Sequence, residues 1–206
     1  MNTNELKRRI LNGCSSVKSV ESRLTEIDSH FGDADHGLTM TKIADAITEA
    51  LADVPEGEED SIQGVMTKAA DAVGELNGGS AVPLWNSWLA GMAEAAPDTG
   101  DADLSQLKGM FAAGLDEFDF MSGAAVGDKT IMDALAPASE AAGQAQTEEE
   151  LFSGAAQAAM QGAESTKNFT AKYGRAKSYG EKTIGTEDAG ALSMAYFFKG
   201  MAEEQH

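Results

Sequence analysis

The chain has 206 residues, enough for one large domain and short for two, so a single domain over residues 1–206 is expected. Fifteen Lys and Arg against 34 Asp and Glu give a formal charge of −19, which repels nucleic acid and anionic membrane surfaces and argues against DNA, RNA and lipid as partners. Cys14 is the only cysteine, the N-terminus lacks the apolar core of a signal peptide, and no run of about 20 apolar residues is present, so the expected location is the cytoplasm.

Leu6, Ile10, Cys14, Val17, Val20, Leu24, Ile27 and Phe31 recur every three or four positions, the period of one helix face. They predict a first helix that runs into a cluster of aspartates. Met40, Ile43, Ile47 and Leu51 continue the period after the cluster, and Pro55 with "EGEED" ends that segment. Similar stripes occupy roughly 61–76, 80–95, 103–121, 130–142, 148–172 and 188–204, which makes eight helices. Alternating β-branched runs are absent and alanine is abundant, so the fold class is all-α, an antiparallel up-and-down bundle or barrel.

Glycine interrupts four connections: "DSHFGDADHG", "NGGSAVP", "MSGAAVGDKT" and "KYGRAKSYGEKTIGTEDAG". They follow the first, third, fifth and seventh predicted helices, and in an up-and-down bundle such loops share one end. A composite site is built that way. Connections at the other end, such as "DVPEGEEDS" and "AAPDTGDADL", read as plain acidic turns.

The first loop brings Asp28, Asp33 and Asp35 into a short stretch, with Asp28 in the last turn of a helix, where the macrodipole disfavours an anion. Clustered carboxylates repel, and a hard cation such as Mg²⁺ or Ca²⁺ is the usual reason for them. The spacing excludes an EF-hand, since Leu38 stands where that loop needs glycine, and His30, His36 and one distant cysteine make a poor zinc site. Mg²⁺ is bound most often together with substrate phosphates, so the other loops should offer phosphate-binding groups. Gly78-Gly79-Ser80 stands before a helix, where free amides attract an anion, although a C-cap glycine followed by an N-cap serine reads equally well. "GAAVGDKT" resembles a Walker A loop, but its lysine comes one residue late and no strand precedes it. Lys167, Lys172, Arg175, Lys177 and Lys182 gather in the last loop, and Arg175 and Lys182 lie among glycines, as phosphate-reaching side chains do. Trp85 and Trp88 are three residues apart on a helix and read as packing residues.

"LTEIDSHFGDADHGLTM", "NGGSAVPL", "VGDKTIMDAL" and "GRAKSYGEKTIGTEDAGA" together resemble the successive signatures of the L subunit, the nucleotide-binding subunit, of dihydroxyacetone kinases. The resemblance implies an eight-helix antiparallel barrel with ADP or ATP at one end, two Mg²⁺ ions and docking onto a separate K subunit that carries a short-chain ketose. It assigns Asp28, Asp33 and Asp35 to the metal, and His36, Gly37, Leu38, Thr39, Gly79, Ser80, Ala81, Ser122 and Ile131 to the nucleotide's surroundings. Arg175 and Lys182 would serve the phosphates, and Asp188, Ala189 and Gly190 would close the site. Arg175 and the three aspartates would thus carry the catalysis. In one branch of the family a phosphotransferase-system M subunit recharges the bound nucleotide; in another ATP exchanges freely. Family members also bind transcription regulators, so the reading from a different class is a nucleotide- or metal-sensing binder without turnover. Four positions depart from the family pattern: asparagine is usual where Thr39 stands, Ser-Gly where Ala81-Val82 stands, arginine at Lys182 and proline at Ala189.

Overall fold

In the computed structural model, which describes residues 1–52 and 61–203, helices carry all the regular structure, as the apolar period requires. They are α1 (Thr3–Lys18), α2 (Glu21–Ser29), α3 (His36–Ala52), α4 (Ile62–Gly74), α5 (Ala81–Ala95), α6 (Leu104–Ser122), α7 (Met132–Gln144), α8 (Glu148–Ser165) and α9 (Ala189–Ala202), with short 3-10 helices at Thr166–Asn168 and Arg175–Thr183. The chain is all-α among the described residues. The expected stop at Pro55 and the turn "DVPEGEEDS" lie largely outside them.

Two boundaries differ from the sequence expectation. The first stripe is two helices, because the chain bends at Val20 (φ −116°, ψ 15°) while its apolar side chains stay on the core side. The stripe expected over 148–172 leaves α-geometry at Ser165, where the buried Thr166 hydroxyl donates to the Ala163 carbonyl and the backbone tightens into a 3-10 turn. Other ends follow their caps. Asn2, Ser61 and Thr147 accept amides of the first turns of α1, α4 and α8, Asp103 and Gln106 form a reciprocal capping box, and Gly123 ends α6 in the left-handed conformation (φ 60°).

Each helix from α3 to α9 packs on the next in sequence, and α9 returns to pack on α1, which packs on α3. The result is a closed ring, with α2 laid against α3 and α9. Its interior is filled by rings meeting edge to face: Trp85 and Trp88 each contact Phe197 at 5.2 and 5.5 Å between centroids, and Trp88 also meets Phe198. Both tryptophans are core residues, as their spacing implied.

Small residues set the closest helix approaches. A side-chain carbon on Gly200 would lie 2.3 Å from the Asn12 carbonyl oxygen, so glycine allows α9 to close on α1. Buried Arg9 ties the same seam: it donates to the Met201 carbonyl at 2.8 Å and lies 4.2 Å above the Phe152 ring. Between α7 and α8 the contact is explained by proline. Pro137 has no N–H to offer the Asp133 carbonyl one turn back, and that carbonyl faces Gly162, where an added carbon would lie 2.0 Å from it. The start of α7, and the loop before it, are thereby held against α8.

Candidate functional site

The acidic loop between α2 and α3 folds back on Asp28. Its Oδ2 accepts the amides of Asp35 at 3.1 Å and His36 at 3.3 Å, and Gly32 leaves room for the carboxylate, since a side-chain carbon there would lie 1.9 Å from Asp28 Oδ1. The tight return places Ala34 at a φ of 61°. One carboxylate oxygen from each of Asp28, Asp33 and Asp35 then lies within 4.8 Å of the others. Three hard oxygen donors at that spacing fit a divalent cation such as Mg²⁺. Arg175, reaching across from the last loop, forms an ion pair with Asp33.

These groups open onto a cavity of about 350 Å³ at the end of the ring where the four glycine loops meet. Asp28, Asp33, Asp35, His36 and Thr39 line it from the first loop, Gly79, Ser80 and Ala81 from the second, and Ile131 from the third. Arg175, Asp188, Ala189 and Gly190 line it from the last. The structure thus brings together thirteen of the residues named from the sequence. Ser80 makes no side-chain cap on α5, so the serine-cap alternative does not hold; Val82 donates its amide to the Gly79 carbonyl and Pro83 has no N–H, which leaves the Ala81 amide at the cavity wall.

Four named residues lie elsewhere. Gly37 is buried against α2, where a side-chain carbon would meet the Glu21 carbonyl at 2.3 Å. Leu38 points outward and is 51% exposed. The Ser122 hydroxyl accepts the Ala124 amide at 3.2 Å and shapes the end of α6. Lys182 is exposed on the 3-10 segment and is not among the cavity-lining residues. In turn, Phe31, Thr130, Tyr173 and Glu187 line the cavity without having been named for it, and so does Lys129, which the sequence offered only as the late lysine of a Walker A-like stretch. The "GDKT" stretch was the available signal for Lys129.

The last loop lies across the rim as a strap. Gly174, Gly180 and Gly185 take φ of 61°, 54° and 95°, conformations that favour glycine. Tyr179 packs on Phe31 at 5.2 Å, the Tyr173 hydroxyl donates to the Gly123 carbonyl at 2.7 Å, and Lys172 pairs with Asp128 at 2.5 Å. The Lys172 ammonium and the Ala125 amide hold the Asp128 carboxyl below the usual carboxylate range.

Burial sets the other charges. It lowers His36, against the opposing pull of Asp28, and the ring Nε2 lies 3.1 Å from the Ser193 hydroxyl. It pushes the Asp188 carboxyl up to about 6, although that carboxyl caps α9 by accepting the Ala191 amide at 2.7 Å. It also lowers the Lys129 ammonium, against Asp188, Asp133 and Glu187. Among the described residues, no helix is long and apolar enough to cross a membrane.

The L-erythrulose 1-kinase of Mycolicibacterium smegmatis is 33% identical over 185 residues, which cover 89% of this chain and 32% of that protein. The protein from Escherichia coli named as the ADP-binding subunit DhaL of PEP-dependent dihydroxyacetone kinase is 31% identical over 198 residues, 93% of this chain and 92% of its own length. The crystal structure of the dihydroxyacetone kinase from C. freundii in complex with AMP-PNP and Mg²⁺ matches with a TM-score of 0.73 at 24% identity, over 98% of this chain and 34% of that one. The chain therefore spans about a third of the length of the erythrulose kinase and of the C. freundii protein, and nearly the whole length of the E. coli subunit. The sequence profile of the DAK2 domain matches residues 30–203, from the acidic loop to the end of α9, and this chain belongs to the DAK2 domain family.

Proposed function

We propose that this chain is the nucleotide-binding unit of a short-chain ketose kinase, passing a terminal phosphoryl group to a ketose held on a separate K subunit. The observation that carries the reading is the convergence, on one cavity, of three clustered carboxylates, the uncapped start of α5 and Arg175. A nucleotide's phosphates need a cation, free amides and a guanidinium together, and a solvated acidic loop needs none of them. The names of the relatives, dihydroxyacetone and erythrulose kinases, point to the same reaction class and to ADP or ATP as the nucleotide.

Asp28, Asp33 and Asp35 would hold a pair of Mg²⁺ ions. Bound there, Mg²⁺ supplies charge neutralisation of the phosphate oxygens and of the moving phosphoryl group. The chain's own groups do the rest. The amides of Asp35 and His36 fix the Asp28 carboxylate in the acidic loop, and the start of α5 offers the Ala81 amide and its positive dipole end to the phosphates. Arg175 leaves Asp33 for a phosphate oxygen when the nucleotide binds. Burial disfavours the charged form of His36, against the opposing pull of Asp28, which limits competing positive charge at the cation site.

The exposed rim supports a protein partner. Leu38, Phe120, Met121, Val126, Tyr173, Tyr179 and Ile184 are the large apolar side chains exposed among the described residues, and all of them lie in or beside the loops at the cavity end. Phe120 is 87% exposed. Apolar side chains gathered at the cavity end suit a surface that a second protein covers. The donor that recharges the nucleotide is a phosphotransferase-system M subunit or free ATP, and the E. coli subunit's PEP-dependent name favours the former.

The test mixes this chain with a K subunit, dihydroxyacetone or erythrulose, Mg²⁺ and either ATP or phosphorylated M subunit. Ketose phosphate should form only when both subunits are present. Nucleotide binding by calorimetry without turnover from either donor would instead mark a regulatory binder.

A further inference from the structure

Lys129 is a buried cation that phosphoryl chemistry as described above does not use. It is 5% exposed and sits at a φ of 62°, a left-handed backbone conformation that is strained for a non-glycine residue. Its ammonium donates to the Thr166 carbonyl at 2.6 Å and to the Thr186 carbonyl. One side chain thereby joins the loop before α7, the end of α8 and the entrance to α9. Each anchor is itself fixed. Asp133 accepts the amides of Gly127 at 2.5 Å and Thr130 at 2.7 Å, which shapes the loop that carries Lys129, and the Thr166 hydroxyl accepts the Asp188 amide at 2.9 Å.

The far side of this brace is a wall of the cavity. Thr186 leads directly into Glu187, Asp188, Ala189 and Gly190, and Lys129 itself lines the same space. A lysine used only to fill the core would be replaced by an apolar side chain without loss, because burying an ammonium is unfavourable. Here two carbonyls and three nearby carboxylates, Asp188, Asp133 and Glu187, face it.

We infer that Lys129 is the positioning residue of the nucleotide site, holding the Glu187–Gly190 wall at the spacing the ligand requires. The inference rests on the nucleotide reading above. It acts through the wall and contacts no reacting atom.

The test uses the full chain with Cys14 replaced by alanine, so that a Lys129→Cys variant carries a single thiol. Aminoethylation of that thiol in the unfolded protein, followed by refolding, restores an ammonium at nearly the lysine's reach. Binding of ADP in the presence of Mg²⁺ should weaken at least about tenfold in Lys129→Cys and in Lys129→Gln, and return to within about threefold on aminoethylation. Amide hydrogen exchange should rise at 184–191, which includes the first turn of α9, and stay unchanged in the rest of the helices. Affinity equal to the parent protein in both variants would overturn the assignment, and so would exchange rising throughout the fold. Should Lys129→Cys fail to refold, Lys129→Gln carries both measurements. A parent protein that binds no ADP with Mg²⁺ would sink the nucleotide reading, while exchange at 184–191 would still judge the brace: equal rates with and without the lysine refute it.

Discussion

The guanidinium of Arg175 forms an ion pair with Asp33, so the carboxylate cluster of the acidic loop carries a positive group from a segment more than a hundred residues away. Both partners are substantially exposed, which makes the pair easy to exchange. A cation entering the cluster competes with that guanidinium. Arg175→Gln should therefore tighten Mg²⁺ binding without nucleotide by about two- to fivefold, the range of an exposed pair, and weaken ADP binding when Mg²⁺ is present. Titration calorimetry with each ligand reads both effects, and unchanged Mg²⁺ affinity would show that the pair does not screen the cluster.

The three aspartates are not equivalent. Asp28 is held by two backbone amides and Asp33 is paired with Arg175, whereas the exposed Asp35 carries its carboxylate at the mouth of the cluster. Asp35→Asn should reduce Mg²⁺-dependent ADP affinity by about a hundredfold or more, with the helical circular dichroism unchanged. The ligand-free protein should melt no lower than the parent, because a repelling charge is gone. Retained affinity would remove Asp35 from the metal's ligands.

Asp188 gives a pH signature. Its carboxyl is pushed up to about 6 by burial, so the folded chain holds that proton more tightly than the unfolded chain does. The stability this contributes is fully present below the ordinary carboxylate value and is lost as pH rises through about 6. Asp188→Asn keeps an oxygen for the Ala191 amide and cannot ionise. Relative to the parent, its melting temperature should be higher at about pH 8 than at about pH 4.5. The same difference at both values would show that ionisation at Asp188 is not felt by the fold.

The contact between Gly162 and the carbonyl that Pro137 leaves free predicts a packing effect far from any charge. Gly162→Ala places a carbon 2.0 Å from the Asp133 oxygen and must push α8 from α7, at a cost of about 1–3 kcal/mol. A urea midpoint equal to that of the parent would mean the helices part without strain. Because Asp133 also orders the loop before α7, the variant should bind nucleotide more weakly as well.

The helices were legible because alanine, leucine and methionine repeat on one face, and the shared end followed from counting which loops break the pattern. The bend at Val20 was not, since the apolar stripe continues through Val17, Val20 and Leu24 with no proline or glycine to mark a turn. Asp28, Asp33 and Asp35 stood out because like charges in one short stretch break a local rule. Lys129 did not. Its position depends on a left-handed backbone at a non-glycine residue and on two carbonyls supplied by distant loops, neither of which leaves a trace in residue spacing.

The closed order of the helices also sets how the chain assembles. Neighbours in the ring are neighbours in sequence, so most packing is local and quick to form, whereas the seam between α1 and α9 must bring together segments separated by nearly the whole described chain. The expected order is an open arc that shuts last. A substitution at the seam, such as Gly200→Ala against the Asn12 carbonyl, should accelerate unfolding and leave the refolding rate almost unchanged in stopped-flow measurements. The cavity lies beside that seam, with the aspartates between α2 and α3 and Asp188 to Gly190 at the start of α9. A nucleotide bound there would tie the start of α9 to the acidic loop beside the last joint to close, and should slow the first joint to open.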